Sequence, residues 1–558
     1  MSEPSSPVPA TAVVRAEPDA YDMAKPKLMG RQAAGYGFLK AAVQARGQAS
    51  VYGLVRTAQL ASGFNKIVQE IDPTAPIVAI PADEISRVGE VGVLYLADIT
   101  VATHSRLRLR SGPAAFSLCG VTHTTASAGS MDEIVGLLRE PVEPWDALVC
   151  TSSSVVETIR RVHEAETDYL RWRFGPAVSI PMPQLPIIPL GVHCDDYAIT
   201  PEARAAGREA LGLAPDQVTA LFVGRLVFHA KAHPYPMFHG LQAAARRTGQ
   251  RIALLMCGWS PNDAVAKAFA DGAAQFAPDV DVRFVEGRDP IPRGHAWAAA
   301  DLFVSLSDNI QETFGLTPIE AMAAGLPVVV TDWDGYKDTI RDGVDGYRIR
   351  TWSPAHGCGA PLARGHEIGI VSYDYYCWYA ATTTSVDLDQ LAEVLCGLVE
   401  NPDRRRSLGE AGRRRAREVY DWAVVYRQYQ ALWGELNARR AAAAADPDTA
   451  GRLQRAPQEG SARLDPFHAF GHYPTARIGE ATRLSLAPGA TTAGLDAALA
   501  SMLFSDLPSA KSLLQRLFAL IAASDVTVAQ AAAQLNLQAA AVVRTAGILA
   551  KVGAVRLG

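Results

Sequence analysis

The sequence contains no CxxC pair, and no apolar run reaches the roughly 20 residues that a membrane-spanning helix needs. Its seven cysteines are scattered singly, so we expect neither a zinc site nor a disulfide framework. Residues 1–14 lack the basic and apolar regions of a signal peptide. Together these absences predict a cytoplasmic protein that is at most peripheral to the inner face of a membrane.

An excess of positive charge is also missing. The formal net charge is -5, and hydrophobic residues make up 49% of the chain. The negative net charge argues against a protein whose whole surface binds nucleic acid. The hydrophobic content is ordinary for globular proteins. Because 558 residues exceed what one hydrophobic core organises, we expect about two to four domains.

Short β-rich runs alternate with helix-length segments, which is typical of βαβ units and parallel sheets. The first half opens with a poorly marked strand before Met29, and its further predicted strands are 51–55, 76–80, 91–97, 115–121, 147–151 and 185–190. In the second half the predicted strands are 219–223, 252–257, 280–285, 302–306 and 328–331. Two such halves in tandem predict an α/β protein in which two Rossmann-like domains face each other across a cleft.

The domain boundaries are predicted from shifts in composition. We expect a flexible tail over 1–24, Rossmann-like domains over 25–195 and 196–436, a linker over 437–465 and an accessory domain over 466–558. An aromatic-rich insertion, 352–386, interrupts the second Rossmann-like domain as a lid or contact surface.

The accessory domain is predicted to be small and mostly helical. From about residue 508 its order of helices, with Thr527 as an N-cap and a final short strand near Val555, resembles a winged-helix module. Residues 501–558 carry five basic and two acidic side chains, and the segment 538–544 has few side chains that read bases. We therefore expect a protein partner or self-association through this domain and consider nucleic acid unfavoured.

The sharpest motif is the segment Glu312–Glu320, which leads from a loop after one predicted strand into a helix. Thr317 is typical of an N-cap and Pro318 of the first helical position, so the helix is predicted to start there. The free backbone N–H groups from Gly315 to Thr317 would face an anion, assisted by the helix dipole. An exposed pair of glutamates would explain the two carboxylates, but it would not explain the adjacent Phe-Gly turn.

This segment resembles the E-x7-E motif of the family 4 retaining glycosyltransferases, which have the GT-B fold. The resemblance extends over about residues 25–435 and is dense in the second half. It implies that Glu312 contacts the donor sugar and Glu320 the ribose. It also implies that sugar and diphosphate meet the backbone amides of Phe314, Gly315 and Leu316, beside Thr317.

A second motif, Gly224-Arg225, follows a predicted strand, and Lys231 lies six residues after the arginine. An Arg fork and a Lys point charge suit two phosphates. The resemblance implies that Arg225 and Lys231 bind the donor's diphosphate next to Gly224. The sequence departs from the family pattern at residues 227–230 and at Ala232, where a glycine is usual.

Two features of the first half complete the candidate site. Gly35 and Gly37 precede a helical pattern and resemble the Gly-rich loop that faces phosphates and acceptor in the family. His123 follows a predicted strand, where relatives have a histidine close to the reacting sugar carbon, and His104 is the rival candidate. The predicted catalytic set is therefore His123, Arg225, Lys231 and Glu312.

Asp332 and Asp334 flank a tryptophan in a pattern that binds metal in the GT-A glycosyltransferase fold. Here the pair follows the strand after the glutamate motif, and GT-B enzymes generally need no metal. We expect a structural or sugar-proximal role for the two aspartates, no metal, and no cofactor besides the nucleotide-sugar substrate.

The combined expectation is a hexosyltransferase-type enzyme. It would move a sugar from a nucleoside diphosphate-sugar to a hydroxyl of a glycan, a lipid-linked or a protein acceptor, with retention of the anomeric configuration. Charge stabilisation of the departing diphosphate would be the largest catalytic contribution. Two alternatives stay open: a glycosyltransferase-like sugar-nucleotide sensor acting through the winged-helix-like tail, and an inverting GT-B enzyme.

Overall fold

The computed structural model describes residues 10–23, 30–177, 179–504 and 511–558. The chain separates into two compact units, Met1–Gly460 and Ser461–Gly558. The first unit contains two six-stranded sheets, and the second contains a sheet of three strands. No helix in the described part of the chain has the length and the apolar character that crossing a membrane requires.

The first sheet is parallel and has the strand order β3-β2-β1-β4-β5-β6. Its strands are β1 (Val13–Arg15), β2 (Val51–Val55), β3 (Ile77–Pro81), β4 (Val93–Tyr95), β5 (Ser117–Val121) and β6 (Ala147–Val149). The helices are α1 (Pro18–Tyr21), α2 (Gly30–Ala45), α3 (Ala58–Ile71), α4 (Val88–Val91), α5 (Val101–Arg108), α6 (Ala128–Arg139) and α7 (Ser153–Phe174). Val13 and Val14 enter different core clusters, because successive side chains of a strand point to opposite faces. The sheet is therefore covered on both faces, which explains its continuous apolar strands.

The start of the chain differs from the prediction. The strand predicted before Met29 is β1, and it pairs with both β2 and β4 at the centre of the sheet. The flexible tail predicted over 1–24 is therefore wrong for Val13–Arg15, whereas residues 1–9 and 24 lie outside the described residues. A strand of three residues leaves little periodic signal, and its pairing comes from distant parts of the chain. The predicted strand 185–190 makes only isolated bridges, at Gln184 and Ile187.

The second sheet is also parallel and has the order β12-β11-β10-β7-β8-β9. Its strands are β7 (Val218–Val223), β8 (Ile252–Gly258), β9 (Asp281–Glu286), β10 (Leu302–Ser305), β11 (Val328–Thr331) and β12 (Gly346–Ile349). The helices are α8 (Pro201–Ala210), α9 (Tyr235–Thr248), α10 (Asp263–Phe276), α11 (Pro290–Ala299), α12 (Leu316–Ala324) and α13 (Tyr336–Thr339). The five predicted strands are confirmed, and β12 is an additional one. Counted within its own domain, each sheet has the Rossmann order 3-2-1-4-5-6.

The predicted insertion leaves and rejoins the second domain through a two-stranded ribbon. The ribbon consists of β13 (Thr351–Trp352) and β14 (Ser385–Val386), which pair antiparallel. Between them lie α14 (Ala360–Glu367) and α15 (Tyr373–Thr382). We call residues 353–384 the arm.

The last helices of the first unit return the chain to the first domain. They are α16 (Leu388–Glu400), α17 (Pro402–Arg415), α18 (Trp422–Ala445) and α19 (Pro447–Gln454). In α18, Trp422 packs so closely on Gly37 that a Cβ there would lie 2.4 Å from the indole nitrogen. Arg440 donates a hydrogen bond to the carbonyl oxygen of Gly92 over 2.6 Å. The predicted linker 437–465 is therefore largely helical, and its first part packs against the first domain.

The second unit is mostly helical, as predicted. Its elements are α20 (Pro466–Ala469), β15 (Arg483–Leu486), α21 (Thr492–Leu499), α22 (Lys511–Ala523), β16 (Val526–Thr527), α23 (Val528–Leu535), α24 (Ala539–Lys551) and β17 (Val555–Leu557). Thr527 caps α23 in a full capping box with Gln530. The antiparallel sheet has the order β16-β15-β17, so its central strand precedes the predicted module. The start near residue 508 lies outside the described residues, and the winged-helix likeness stays a prediction.

We expect Gly35→Ala to destabilise the protein by about 1–3 kcal/mol, the usual cost of overpacking. A Cβ at this position of α2 would lie 2.1 Å from the carbonyl oxygen of Ala20 in α1. The matched control is Gly63→Ala in α3, where no atom lies within 4 Å of the added Cβ. That change should stabilise by about 0.5–1 kcal/mol, because alanine loses less backbone entropy than glycine in a helix. Melting temperatures of both variants check this, and equal values would contradict the packing of α1 on α2.

Candidate active site

A cleft of about 1140 Å³ is lined by residues from both Rossmann-like domains. In a sheet of Rossmann order, ligands bind at the carboxyl ends of the strands, where the strand order reverses. In the second sheet this point lies between β7 and β10, which pair side by side. Arg225 follows β7 and Glu312 follows β10, and both line the cleft. The strand order therefore brings together two residues that are far apart in sequence.

Glu312 and Lys231 form the central ion pair of the site. Lys231 Nζ donates to Glu312 Oε2 over 3.2 Å, and the exposed fractions of the two side chains are 36% and 15%. Burial raises the pKa of Glu312, but Lys231 and hydrogen bonds from the amides of Thr313 and Phe314 outweigh it, and the net pKa is lowered. Glu312 is therefore an anion at neutral pH although water barely reaches it.

The loop that carries Lys231 is held by polar residues that follow β10. Ser307 Oγ donates to the carbonyl oxygen of Lys231 over 3.2 Å, and Asn309 Nδ2 donates to that of His229 over 2.5 Å. The backbone N–H of His233 donates to the buried carboxylate of Asp308 over 3.3 Å. Lys231 therefore lies against Glu312 despite the departures from the family pattern at 227–230 and Ala232.

Helix α12 starts two residues earlier than predicted, at Leu316 rather than at Pro318. Gly315 is the N-cap, with φ +81, and no side chain caps the helix. A Cβ at Gly315 would lie 2.1 Å from the ring of Tyr336, so glycine is required both for φ and for space. Thr317 consequently lies in the first turn with a free amide, and Glu320 lies in the second turn.

Glu320 lines the cleft, and its side chain is only partly exposed to solvent. Tyr197, which ends the short helical turn Cys194–Tyr197, lines the same cleft and interacts with the Glu320 carboxylate. Burial raises the pKa of Glu320, whereas Tyr197 and the charge of Arg293 act in the opposite direction. All three residues line the cleft, and sequence analysis missed Tyr197 and Arg293.

Three adjacent strands end in a glycine followed by a large side chain. A Cβ at Gly258 would lie 1.9 Å from the carbonyl oxygen of Gly224, and one at Gly287 would lie 2.7 Å from Cα of Gly258. The glycines let the three turns stack, and the following residues line the cleft: Arg225, Trp259 and Arg288. The guanidinium of Arg288 lies over the ring of Trp259, 5.9 Å from its centre. Of these three residues only Arg225 was predicted, although a glycine also precedes Trp259 and Arg288 in the sequence, each after a predicted strand.

His123 faces the glutamate motif from the first domain. Its Nε2 lies 3.1 Å from the carbonyl oxygen of Ala97, and its own carbonyl oxygen accepts from Thr313 Oγ1 over 3.1 Å. Burial lowers the pKa of His123 to about 4, and the charge of Arg31 adds to this. The imidazole is therefore neutral at physiological pH. The rival His104 lies in α5, bonded to the carbonyl oxygen of Thr100 and away from the cleft.

The predicted Gly-rich loop is wrong. Gly35 and Gly37 lie inside α2, where they allow close helix packing rather than a turn. Gly35 lies against Ala20 and does not line the cleft, whereas Gly37 does and accepts a hydrogen bond from His193 Nε2 over 3.1 Å. The sequence alone does not distinguish a glycine that permits close helix packing from a glycine that permits a turn.

The two aspartates of the Asp-Trp-Asp segment do not line the cleft. Asp332 pairs with Arg348 over 3.4 Å, and Asp334 has φ +43. Burial raises the pKa of Asp334, and the nearby Glu312 raises it further. Among the described residues no group of three or more His, Cys, Asp or Glu side chains is placed to hold a metal ion. The expectation of a metal-free site stays a prediction.

The region 204–355 matches the family model described as glycosyl transferases group 1. A D-inositol 3-phosphate glycosyltransferase of Nocardia farcinica is 26% identical over 265 residues, which cover 46% of this chain and 54% of that protein. An alpha-maltose-1-phosphate synthase of Mycolicibacterium smegmatis is 24% identical over 305 residues, 54% of this chain and 66% of that protein. The chain thus spans only about half to two thirds of these relatives.

Two solved structures are also similar. Anabaena HepE in complex with UDP aligns over 76% of this chain and 100% of its own, with 14% identity and a TM-score of 0.49. A sucrose-phosphate synthase from Thermosynechococcus elongatus aligns over 77% of this chain and 99% of its own, with 18% identity and a TM-score of 0.47.

The lowered pKa of His123 predicts a pH dependence of stability. Its pKa is about 4 in the folded chain against an ordinary value of 6.5, so the unfolded chain binds the proton first as the pH falls. The contribution of the neutral ring is complete above about pH 6.5 and is lost as the pH falls toward about 4. Between these values the melting temperature of the wild type should fall more than that of His123→Gln. Parallel curves would contradict the burial of His123.

Proposed function

We propose that the protein is a retaining glycosyltransferase that moves a hexosyl group from a nucleoside diphosphate-sugar to an acceptor hydroxyl. The observation that carries the proposal is the meeting of Arg225, Lys231 and Glu312 at the carboxyl edge of the second sheet. The family match over 204–355 covers the same residues and supports sugar transfer.

The donor is proposed to bind the second domain. Arg225, Lys231 and the free amides at the start of α12 offer positive potential to two phosphates. Glu312 is ionised and can accept hydrogen bonds from sugar hydroxyls, and Glu320 is proposed to accept those of the ribose. The acceptor would lie against the first domain, whose Arg31, Tyr36 and His123 line the opposite wall.

The proposed reaction breaks the bond between the anomeric carbon and the diphosphate and forms a bond to the acceptor oxygen on the same face. Arg225 and Lys231 stabilise the charge on the leaving diphosphate, which takes the acceptor's proton. His123 is neutral and its Nε2–H donates to Ala97, so its role is to accept a hydrogen bond at Nδ1 from a hydroxyl of the donor sugar rather than to act as a cation. We propose that no divalent metal is needed, because two cations and a helix N-terminus already face the phosphates.

The sensor alternative would use the same donor site without turnover. Nothing in the second unit, described by itself, favours it over an enzyme, and binding followed by product formation separates the two. The winged-helix-like region is proposed to serve a protein partner or self-association.

We predict that Glu320→Ala weakens donor binding about tenfold or more, because hydrogen bonds to charged groups contribute about 1.5–3 kcal/mol. The measurement is calorimetric titration with a panel of UDP-, GDP- and ADP-sugars. Glu410→Ala, an exposed position on α17 of the same domain, is the matched control and should bind like the wild type. Equal affinities for the two variants would remove the assigned role of Glu320.

The product of a fresh reaction should keep the donor's anomeric configuration. Proton NMR of the product, formed with the donor selected above and in saturating EDTA, measures both configuration and metal dependence. An inverted product would contradict retention. A reaction that EDTA abolishes and manganese or magnesium restores would contradict the metal-free site.

A further inference from the structure

Two hydrogen bonds join the glutamate motif to the first domain at Thr313. Ser152 Oγ, at the start of α7, donates to the carbonyl oxygen of Thr313 over 2.8 Å, and Thr313 Oγ1 donates to the carbonyl oxygen of His123 over 3.1 Å. Thr313 is 4% exposed and lines the cleft together with His123 and Glu312. One buried threonine of the second domain is therefore bonded to the turns that follow β5 and β6 of the first domain.

Further contacts fix the surroundings of Thr313. A Cβ at Gly335 would lie 2.5 Å from the carbonyl oxygen of Thr313, so the loop after β11 packs directly on it. Asp338 in α13 accepts two hydrogen bonds from Ser153, one from the backbone N–H over 2.5 Å and one from Oγ over 2.7 Å. The first turn of α7 favours such a carboxylate, because the free N–H groups and the dipole of a helix are positive there. The two domains are thus in direct contact around Thr313.

The ring and the backbone of His123 are held from different sides. The ring is held within its own domain, since Nε2 donates to the carbonyl oxygen of Ala97 over 3.1 Å. The backbone carbonyl is held by the facing domain through Thr313. Because Thr313 directly follows Glu312 in the chain, this bond fixes the position of His123 relative to that carboxylate. An apolar side chain of the same shape would fill the space at 313 but would leave the carbonyl oxygen of His123 without this bond.

We propose that Thr313 is a positioning residue of the active site, whose hydroxyl holds His123 where its Nδ1 meets a hydroxyl of the donor sugar. The E-x7-E pattern specifies Glu312 and Glu320 and leaves position 313 open, so this role belongs to the chain and not to the motif. The inference rests on the proposed function, because it concerns the sugar half of the donor site. The diphosphate is proposed to bind the second domain alone, and its binding does not depend on this bond.

The test compares Thr313→Val, which keeps the branched shape and removes the hydroxyl, with Thr313→Ser, which keeps the hydroxyl and removes the methyl group. The control is Thr158→Val on α7, whose hydroxyl donates within its own helix to the carbonyl oxygen of Ser154 over 3.0 Å. Calorimetry with UDP, GDP and ADP measures the affinity for the diphosphate. Calorimetry with UDP-glucose, GDP-mannose and ADP-glucose measures the affinity for the complete donor.

We expect Thr313→Val to bind the diphosphate like the wild type and the hexose donor about three- to tenfold more weakly, the effect of one lost hydrogen bond. Thr313→Ser and Thr158→Val should bind both ligands like the wild type. The double variant His123→Ala/Thr313→Val should bind the donor no more weakly than His123→Ala alone, because Thr313 acts through His123. In protein with isotope-labelled histidine, the NMR signal of His123 Cε1 should move in Thr313→Val and not in Thr313→Ser.

Four results would overturn the inference. A His123 signal that stays in place in Thr313→Val would mean that the hydroxyl does not position the ring, whichever sugar the protein binds. An unchanged ratio of donor to diphosphate affinity in Thr313→Val would remove the role of Thr313 and leave the proposed function intact. Weaker donor binding in Thr313→Ser than in Thr313→Val would make Thr313 a packing residue. If the wild type binds none of the three diphosphates, the proposed function fails and this inference fails with it.

Discussion

The structure of the cleft depends on the packing of α18 against the first domain. Phe38 of α2 stacks on Tyr95 with ring centres 4.0 Å apart, and the aromatic rings of α18 surround it: Trp422, Tyr426, Tyr429 and Trp433. Large buried rings contribute strongly to packing energy, and their edge-to-face contacts add direction. Because α18 follows the last helices of the second domain, this cluster holds one domain against the other. Smaller contacts beside the site complete the interface, such as the hydrogen bond from Ser152 Oγ to the carbonyl oxygen of Thr313 over 2.8 Å.

Burial has opposite consequences for the pKa values of acidic and basic groups in and beside the cleft. It lowers the pKa of His123 and raises those of Glu320 and Asp334, so each tends toward its neutral form. Glu312 is the exception, because Lys231 and two amides outweigh its burial. The pKa of this one carboxylate is therefore lowered, at the place where the sugar of a nucleotide-sugar is proposed to bind. The lowered pKa of Glu312 is caused by its partners, Lys231 and the two amides, and not by the carboxylate alone.

Local patterns predicted the scaffold well and the turns less well. Apolar runs located five of the six strands of the second sheet, because a strand covered on both faces must be apolar throughout. The local structure at glycines was harder to predict. Gly35 and Gly37 were assigned to a loop and lie in a helix, and Gly315 takes the N-cap position assigned to Thr317. In each case the glycine is required by a neighbour that is distant in sequence: Ala20, Trp422 or Tyr336.

The sequence by itself determined the class of fold, the alternation of strands and helices, and the segments that carry Arg225, Lys231 and Glu312. These depend on periodicity and on local chemistry, which a single chain displays. Tertiary structure alone decided that β1 is a central strand, that Lys231 pairs with Glu312, and that Ser152 Oγ donates to the carbonyl oxygen of Thr313. Such contacts join residues that are tens to hundreds of positions apart, and no local pattern records them, because the order of strands in the two sheets sets which loops meet.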